Sequence, residues 1–477
     1  MSDHAYGVVY SPSSFGGHGP TALTDEYLDG LGVKYIRITW VDWINNVRYR
    51  VVPRAYFRKL LDSARPGVSL TKATLGLVFL AVAPGFSGSG EDHYVIDASS
   101  FRLAPYEPGH ATVFGFFQNK VPTPEHGLVL PYCPRTLLSN IVQRAKDAAG
   151  VSYLVGLESE FILLSATTPK IVPVNNADWS ASSKLPSGSV ETIVLEEIAE
   201  KLIAAGIELQ MYHAEAAPGQ YEVVTGPLPP LEAADALVCT RETIYNVANK
   251  HGLRATFAPK LYSNSAGSAA HAHVSVHHTS APAQTTRNDE HLAPTLTSAE
   301  RSFLQGILAH APAVCALTLP TTFSYARVAD GIWSGGTYAS WGTDQREAPV
   351  RLCGPAGQHH FEVRFVDGTA SPHLVLAGIL GAGTEAIAVG ALLETGDCAK
   401  PVALMSPEER RAAGVENVGR LPTTLDQARK NLAADASLRT VLGDEFVEKY
   451  ISVNSTLEKM LVGEDEESTI VKLVNYY

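Results

Sequence analysis

Four short segments of the chain concentrate side chains that bind metal ions and transfer protons. The first, Glu158-Ser-Glu160, lies inside an apolar run that is typical of a β-strand. Strand alternation places both carboxylates on one face. Among apolar neighbours the two would repel each other and lose hydration unless a cation lay between them. A solvent-facing strand edge is the alternative interpretation of this segment.

The second segment places Glu215 and Glu222 on either side of a Pro218-Gly219 turn, which can bring both carboxylates toward one point. An ordinary acidic turn is the simpler alternative. The third segment alternates strictly from His271 to Ser275, so its polar side chains share one strand face. A His-x-His pair on a strand is a common arrangement of metal ligands, and a polar strand facing solvent is the alternative. We expect His277 and His278, further along this run, at the surface.

The fourth segment, His360-Phe-Glu362-Val-Arg364, also alternates, and three further arginines precede it around a glycine-rich stretch: Arg327, Arg346 and Arg351. Zinc sites prefer three or four nitrogen and sulfur ligands, whereas a set rich in carboxylates suits Mg²⁺ or Mn²⁺. Divalent ions beside several arginines are typical of a site that stabilises a phosphoryl group in transfer. The chain has no Walker A motif and no kinase catalytic loop, so this would be a different scaffold.

Composition limits the classes of partner. The 477 residues carry a formal charge of −12, which argues against a nucleic-acid binder, because neutralising phosphates requires clustered Lys and Arg. Apolar residues make up 45% of the chain, enough for a full core. Charged residues make up only 18%, a low fraction that hints at surface buried in a homo-oligomer.

Cysteines and apolar runs indicate the compartment. Five scattered cysteines without a CxxC pair are typical of reduced thiols in an intracellular protein. Residues 1–14 lack the apolar run of a signal peptide. The stretch from Leu374 to Leu393 has the length of a membrane span, but its glycines favour close packing, so we expect a buried helix. These features predict a cytoplasmic protein that binds no membrane.

Two groups of elements must position the four segments. Upstream, two strand-like runs within residues 33–52 are joined by a turn at Asn45-Asn46, and a helix follows. Prolines between residues 122 and 134 interrupt the chain, so we expect one domain at 1–125 and a second at 126–477. Downstream, helical patterns alternate with the strand-like runs that carry the candidate ligands.

In their order and spacing, the four segments resemble the catalytic core of glutamine synthetase, specifically the bacterial-type class I branch with its glutamine-synthetase-like proteins of fungi. The likeness includes Trp40-Val-Asp-Trp-Ile-Asn-Asn and Phe365-Val-Asp-Gly-Thr-Ala-Ser-Pro-His-Leu374. It implies an α+β fold with a small N-terminal β-grasp domain and a large catalytic domain, an antiparallel sheet funnel with flanking helices. It also implies active sites between neighbouring subunits of stacked rings.

The resemblance further implies a reaction and a role for each residue. In the family, the side-chain carboxylate of the acid takes the γ-phosphoryl group of ATP, and an amine then displaces phosphate. Two or three divalent ions are expected per site, one at Glu160, Glu215 and Glu222 and a second at Glu158, His271 and Glu362. The nucleotide would contact His273, Ser275, Arg351 and His360. The acid would contact Gly267, Arg327 and Arg364, and the catalytic positions would be Arg327, Trp333 and Arg346.

The chain departs from the family pattern where ammonium binds. The family loop Asn-Gly-Ser-Gly-Met-His is here Ala266-Gly-Ser-Ala-Ala-His271, and the flap glutamate is Trp333. The aspartate that deprotonates ammonium has no counterpart in Leu70-Thr-Lys-Ala-Thr74. The anionic pocket thus loses charge and gains apolar area, which suits a larger amine bound by stacking or cation–π contact. Two nucleotide-side positions also differ, an arginine replaced by His360 and a glutamate by Gln210.

The leading hypothesis is an ATP-dependent and Mg²⁺- or Mn²⁺-dependent ligase that joins glutamate, or a related acid, to ammonia or an organic amine through γ-glutamyl phosphate. A catalytically weak regulatory or structural homologue is the alternative, motivated by the altered positions. The complete carboxylate set argues against it, because clustered buried carboxylates are costly without a cation. Phosphoryl transfer without amide formation stays open. A metal-dependent amidohydrolase would place its His-x-His pair early in a strand–helix barrel, and here the pair lies mid-chain.

Overall fold

The computed structural model describes residues 7–15, 23–177, 179–279 and 287–477, and the fold is α+β, as expected. Residues 1–6, which belong to the stretch expected to lack a signal peptide, lie outside the described residues. The strands are β1 (Tyr35–Val41), β2 (Val47–Pro53), β3 (Gly67–Thr71), β4 (Leu77–Val78), β5 (Ala81–Val82), β6 (Glu91–Leu103), β7 (His110–Thr123), β8 (Gly127–Val129), β9 (Val151–Ala166), β10 (Val172–Pro173), β11 (Leu209–Ala214), β12 (Gln220–Thr225), β13 (Arg254–Thr256), β14 (Ala272–His278), β15 (Trp341–Thr343), β16 (Val350–Cys353) and β17 (His360–Val363).

The helices pack beside these strands and in the C-terminal third of the chain. They are α1 (Asp25–Gly30), α2 (Arg54–Leu61), α3 (Pro134–Ala149), α4 (Trp179–Ser182), α5 (Val190–Ala204), α6 (Pro230–Lys250), α7 (Ser298–Thr318), α8 (Thr322–Arg327), α9 (Pro372–Ala388), α10 (Pro407–Ala412), α11 (Leu425–Ala434), α12 (Ala436–Leu442), α13 (Asp444–Leu461) and α14 (Glu466–Tyr476).

The first sheet is built from the upstream strands in the order β2-β1-β7-β6-β3, with β8 paired to β7. Strands β1 and β2 form the expected antiparallel hairpin, and β1 lies parallel to β7. In the turn of the hairpin Asn45 has a φ of +66°, a conformation that Asn tolerates better than most residues. The strands of this sheet lie between residues 35 and 129, and β8 lies just past residue 125, where the sequence analysis places the domain boundary.

The second sheet positions the four candidate segments. Its strands follow the order β11-β12-β9-β14-β17-β16-β15 among the described residues. Neighbouring strands from β11 to β16 are antiparallel, and only the pair of β15 and β16 at one edge is parallel. Strand β9 spans sixteen residues and pairs with both β12 and β14, so it lies between the two halves of the ligand set.

Helix α9 confirms the buried helix expected from the apolar run. A Cβ on Gly383 would overlap the ring of Phe303 on α7, so the small residues allow the two helices to approach closely. The helix ends at Ala388, and Gly390 follows with a φ of +65°. In the described parts of the chain, every helix falls short of the length and apolar character that a bilayer crossing requires.

Candidate active site

One cavity of about 2220 Å³ opens over the second sheet, and every residue to which the sequence assigns a role lines it. The candidate metal ligands there are Glu158, Glu160, Glu215, Glu222, His271 and Glu362. The candidate nucleotide, substrate and catalytic residues are His273, Ser275, Arg351, His360, Gly267, Arg327, Arg364, Trp333 and Arg346. Segments up to two hundred positions apart in the chain therefore meet in one space.

Strand register brings the ligands together. Glu160 on β9 lies opposite Glu222 on β12. On the other side of β9, His273 on β14 lies opposite Glu362 on β17, which in turn pairs with Arg351 on β16. Because side chains alternate along each strand, these positions face the same side of the sheet.

Glu158, His271 and Glu362 form the first group, with one ligand atom from each within 4.8 Å of the others. His271 Nδ1 lies 2.6 Å from Glu158 Oε2 and 3.4 Å from Glu362 Oε1. The other ring nitrogen of His271, Nε2, is buried and has no hydrogen-bond partner among the described residues. Two carboxylates and the imidazole Nδ1 that faces both of them fit a divalent cation.

The electrostatics of this group favour ionised carboxylates. Burial opposes ionisation of Glu158, but His273 and then His271 hold its pKa well below the usual range. Burial also opposes ionisation of Glu362, and the imidazoles with Arg364 lower its pKa to about 2. Burial and then Arg364 lower the pKa of His271, which favours the neutral imidazole, the form that binds a metal.

The remaining carboxylates form two overlapping groups rather than the single set expected for one ion. Glu222 belongs to both, once with Glu158 and Glu160 and once with His213 and Glu215. Burial and the neighbouring carboxylates raise the pKa of Glu222 to about 10 and that of Glu160 to about 8. Such carboxyl groups hold protons at neutral pH unless a cation replaces them. A divalent ion therefore fits this set of donors, in which Glu222 is the residue that both groups share.

The arginines divide into buried and exposed ones. Arg327 is 3% exposed and donates hydrogen bonds of 3.1 Å to the backbone carbonyl oxygens of Arg364 and Val366. A Cβ at Gly267 would overlap the Arg327 side chain and lie 2.5 Å from the Pro259 carbonyl oxygen, so only glycine fits there. By contrast, Arg346 is exposed in the loop before β16, where it is free to reach a bound phosphate.

Trp333 lies in the loop between α8 and β15 with 70% of its surface exposed. Gly331, Gly335 and Gly336 bracket it with φ angles of +79°, +101° and +63°. These left-handed conformations favour glycine and set the path of the loop. The indole is therefore held at the cavity by a glycine-shaped loop and is available to a ligand.

Several residues of the site were missed or misplaced by sequence reasoning. Tyr10 hydrogen-bonds to Glu208 and accepts a 2.8 Å hydrogen bond from Gln210 Nε2 at the cavity rim. Nothing in the N-terminal sequence indicates this contact, which joins positions 200 residues apart. His277 and His278 were expected at the surface, which is wrong: both are half-buried, because β14 continues to pair with β9 as far as His278. His277 also lines the cavity, and its Nε2 lies 2.8 Å from Ser275 Oγ.

Cys353 is a further missed residue. It lies opposite His360 in the β16–β17 hairpin and is buried. One ligand atom from each of Cys353, His360 and His273 lies within 4.8 Å of the others. The spacing of Cys353 and His360 on either side of a Gly-containing turn was the available signal.

Comparison with known proteins identifies the family of this chain. Residues 131–465 match the family model described as the glutamine synthetase catalytic domain. The chain is 36% identical over 96% of its length to protein fluG of Emericella nidulans, and it spans half the length of that relative. It is 31% identical to the gamma-glutamylpolyamine synthetase GlnA3 of Streptomyces coelicolor, over 91% of each protein.

Solved structures agree with the sequence relatives. A crystal structure described as a novel glutamine synthase homolog has a TM-score of 0.75 and 26% identity, and the match covers 93% of this chain and 99% of that one. The relatives in this family act on small molecules, and ATP and divalent metal ions are its usual ligands. With the ligand set on the second sheet, these matches establish that the chain belongs to the glutamine synthetase family of carbon–nitrogen ligases.

Proposed function

We propose that this protein joins glutamate, or a closely related acid, to an amine larger than ammonia through a γ-glutamyl phosphate intermediate, with ATP as phosphoryl donor. The observation that carries the proposal is the pairing of a complete set of carboxylate, histidine and arginine side chains with Trp333 in the same cavity. The chain has the residue types with which the family binds metal ions and phosphate, and it has Trp333 where the family has the flap glutamate of the ammonium site.

Each half of the reaction has residues suited to it. Gly267, Arg327 and Arg364 would bind the acid, because buried guanidinium groups recognise carboxylates. Its side-chain carboxylate attacks the γ-phosphorus, the bond to the bridging oxygen breaks, and ADP leaves. The nucleotide would lie against His273, Ser275, Arg351 and His360, and the exposed Arg346 would reach the transferred phosphoryl group. Two or three Mg²⁺ or Mn²⁺ ions, held by the six ligands described above, would supply charge neutralisation at the phosphates.

The second half-reaction depends on the loop that carries Trp333. An amine nitrogen attacks the acyl carbon, phosphate leaves, and the nitrogen gives up one proton. An exposed indole in place of a carboxylate offers stacking area and a cation–π surface for an organic amine. The relative from Streptomyces coelicolor is named for γ-glutamylation of polyamines, which supports an amine larger than ammonia.

A homo-oligomer of stacked rings in the cytoplasm is part of the same proposal. In the family, a loop of one subunit completes the site of its neighbour. Leu70–Thr74, the counterpart of that loop, is not among the residues described as lining this cavity, as expected if it serves another subunit.

A catalytically weak homologue is the second candidate, and the absence of any carboxylate in Leu70–Thr74 favours it. Such a protein would bind the divalent ion and keep the fold without turning over ATP. The buried carboxylates weigh against this candidate, because they are retained at a high electrostatic cost.

The test measures phosphate release from ATP and glutamate with ammonium and with a panel of alkyl, aromatic and polyamine substrates, and identifies the product by mass spectrometry. We expect at least one organic amine to exceed ammonium and to yield its γ-glutamyl amide. Absence of stimulation by any amine overturns the ligase proposal. Stabilisation by Mg²⁺ without turnover would then support the second candidate, and a stable phosphorylated product would indicate phosphoryl transfer alone.

A further inference from the structure

A group of nitrogen and sulfur donors lies next to the carboxylate ligands. Cys353 and His360 oppose each other across the β16–β17 hairpin, so both side chains lie on the same face of the sheet. The rings of His360 and His273 have centroids 5.2 Å apart. One ligand atom from each of the three residues lies within 4.8 Å of the other two.

A neighbouring imidazole has unmet hydrogen-bonding capacity. His359 is 7% exposed and lines the same cavity. Both of its ring nitrogens are buried without a hydrogen-bond partner among the described residues. His359 is not part of the group of three donors that lie within 4.8 Å of one another, so the proposed site rests on Cys353, His360 and His273 alone.

We propose that Cys353, His360 and His273 bind one Zn²⁺ ion, with a water molecule in the fourth position. Thiolate and imidazole are the ligands that zinc prefers, and a tetrahedral site with three protein ligands and one open position is common. Mg²⁺ and Mn²⁺ prefer oxygen and should remain on the carboxylates. On binding, the Cys353 S–H bond breaks, its proton passes to the solvent and an S–Zn bond forms.

The site has a consequence that rests on the proposed function. His273 and His360 are also the proposed nucleotide contacts, so an ion held between them and bound ATP would exclude each other. Zinc would then inhibit the ligase by competing with ATP, whereas the magnesium ions would not. His273 Nε2 also lies 2.9 Å from Glu158 Oε1, so the two kinds of metal site are neighbours.

Cobalt titration of the full-length protein in excess Mg²⁺ tests the site directly. A thiolate bound to Co²⁺ gives a charge-transfer band in the near ultraviolet that no oxygen ligand produces. We expect the band to saturate at one equivalent and to disappear on addition of Zn²⁺. Cys353→Ser keeps the side-chain size and should lose the band, and His360→Gln should weaken Co²⁺ binding at least tenfold.

Cys398→Ser is the matched control, since Cys398 is equally buried but packs with Val402 and Val415 away from the cavity. This variant should keep the band, and thermal denaturation of both serine variants checks their folding. A wild-type protein without the band, or a band that persists in Cys353→Ser, overturns the zinc site. A band that a non-hydrolysable ATP analogue leaves unchanged supports the metal site and overturns the nucleotide contacts of His273 and His360.

Discussion

Arg364 donates a hydrogen bond of 2.9 Å to the backbone carbonyl oxygen of Trp333. The same guanidinium is bonded to the carboxylate of Glu362. One side chain thus connects a candidate metal ligand on β17 to the loop that replaces the ammonium site. The position of the loop is therefore coupled to the state of the metal ligand.

Substitution of Arg364 should impair the step in which the amine attacks the acyl phosphate. In Arg364→Lys, a single ammonium group cannot hold Glu362 and the Trp333 carbonyl in the fork geometry of a guanidinium. We expect kcat to fall about 100-fold through lost positioning, and KM for the amine to rise more than KM for ATP. Steady-state phosphate release measures both. An unchanged KM for the amine would contradict the coupling, and Arg411→Lys, in a surface ion pair, controls for the loss of an arginine.

The Trp333→Glu substitution should shift the preference of the enzyme from larger amines toward ammonium. A carboxylate in this loop restores an anionic environment, so KM for ammonium should fall about tenfold and activity with larger amines should fall. Ile332→Glu is the matched control, because Ile332 is the adjacent exposed residue lining the same cavity. The ratio of kcat/KM for ammonium and for the best organic amine is the readout. An equal shift in both variants would show that charge alone, and not the Trp333 position, sets the preference.

Metal-free stability should decline as the pH rises. Glu160 and Glu222 have pKa values of about 8 and about 10 in the folded protein, raised from 4.5 by burial and by neighbouring carboxylates. The folded protein therefore holds protons that the unfolded chain has released, and stability falls as the pH increases through this window. Mg²⁺ or Mn²⁺ replaces these protons, so stabilisation by either ion should increase with pH. Thermal denaturation with and without a chelator measures this, and a metal effect independent of pH would refute it.

Glu222→Gln separates stability from metal binding. At pH 8 Glu222, with its raised pKa, must take up a proton when the metal-free chain folds, whereas glutamine needs none, so the substitution should raise the unfolding free energy by more than about 1 kcal/mol. It should also reduce metal affinity and ligase activity by about 100-fold or more. Denaturant unfolding and calorimetric Mn²⁺ titration measure the two effects. Glu416→Gln, at an exposed position, should change neither; a less stable Glu222→Gln protein would argue against carboxylate repulsion.

The sequence predicted which candidate ligands share a strand face, but not which strands pair with each other. The period of two in a strand is enough to place Glu158 with Glu160 and His271 with His273 on common faces. It does not specify that β9 lies between β12 and β14, because strand pairing over long sequence separations depends on the whole fold. The family resemblance implied an antiparallel sheet funnel, and the order of its strands is known from the structure.

Other features of the site and fold were not predicted because they depend on the local conformation of the backbone or on distant contacts. Cys353 was treated as one of five scattered thiols, and its closeness to His360 follows from a turn in which Gly354 and Gly357 have φ angles of +82° and +81°. Tyr10 reaches Glu208 across a chain separation that no periodic pattern encodes. The apolar run from Leu374 to Leu393 was expected to form one buried helix, but the helix ends at Ala388 and Gly390 follows in a left-handed conformation.

The loop that carries Trp333 has no part in the ladder of the second sheet, whereas most of the candidate metal ligands lie on paired strands. A substitution on β9 or β17 can disturb the register in which the strand pairs with its neighbours. A substitution in the Trp333 loop, by contrast, leaves the hydrogen bonds between the strands in place. Side-chain substitutions in this loop can therefore change the amine that is accepted without breaking the strand pairing that holds the metal ligands, provided that the backbone contact of Trp333 with Arg364 is kept. Among related proteins that use different amines, we expect most of the relevant substitutions to lie in this loop.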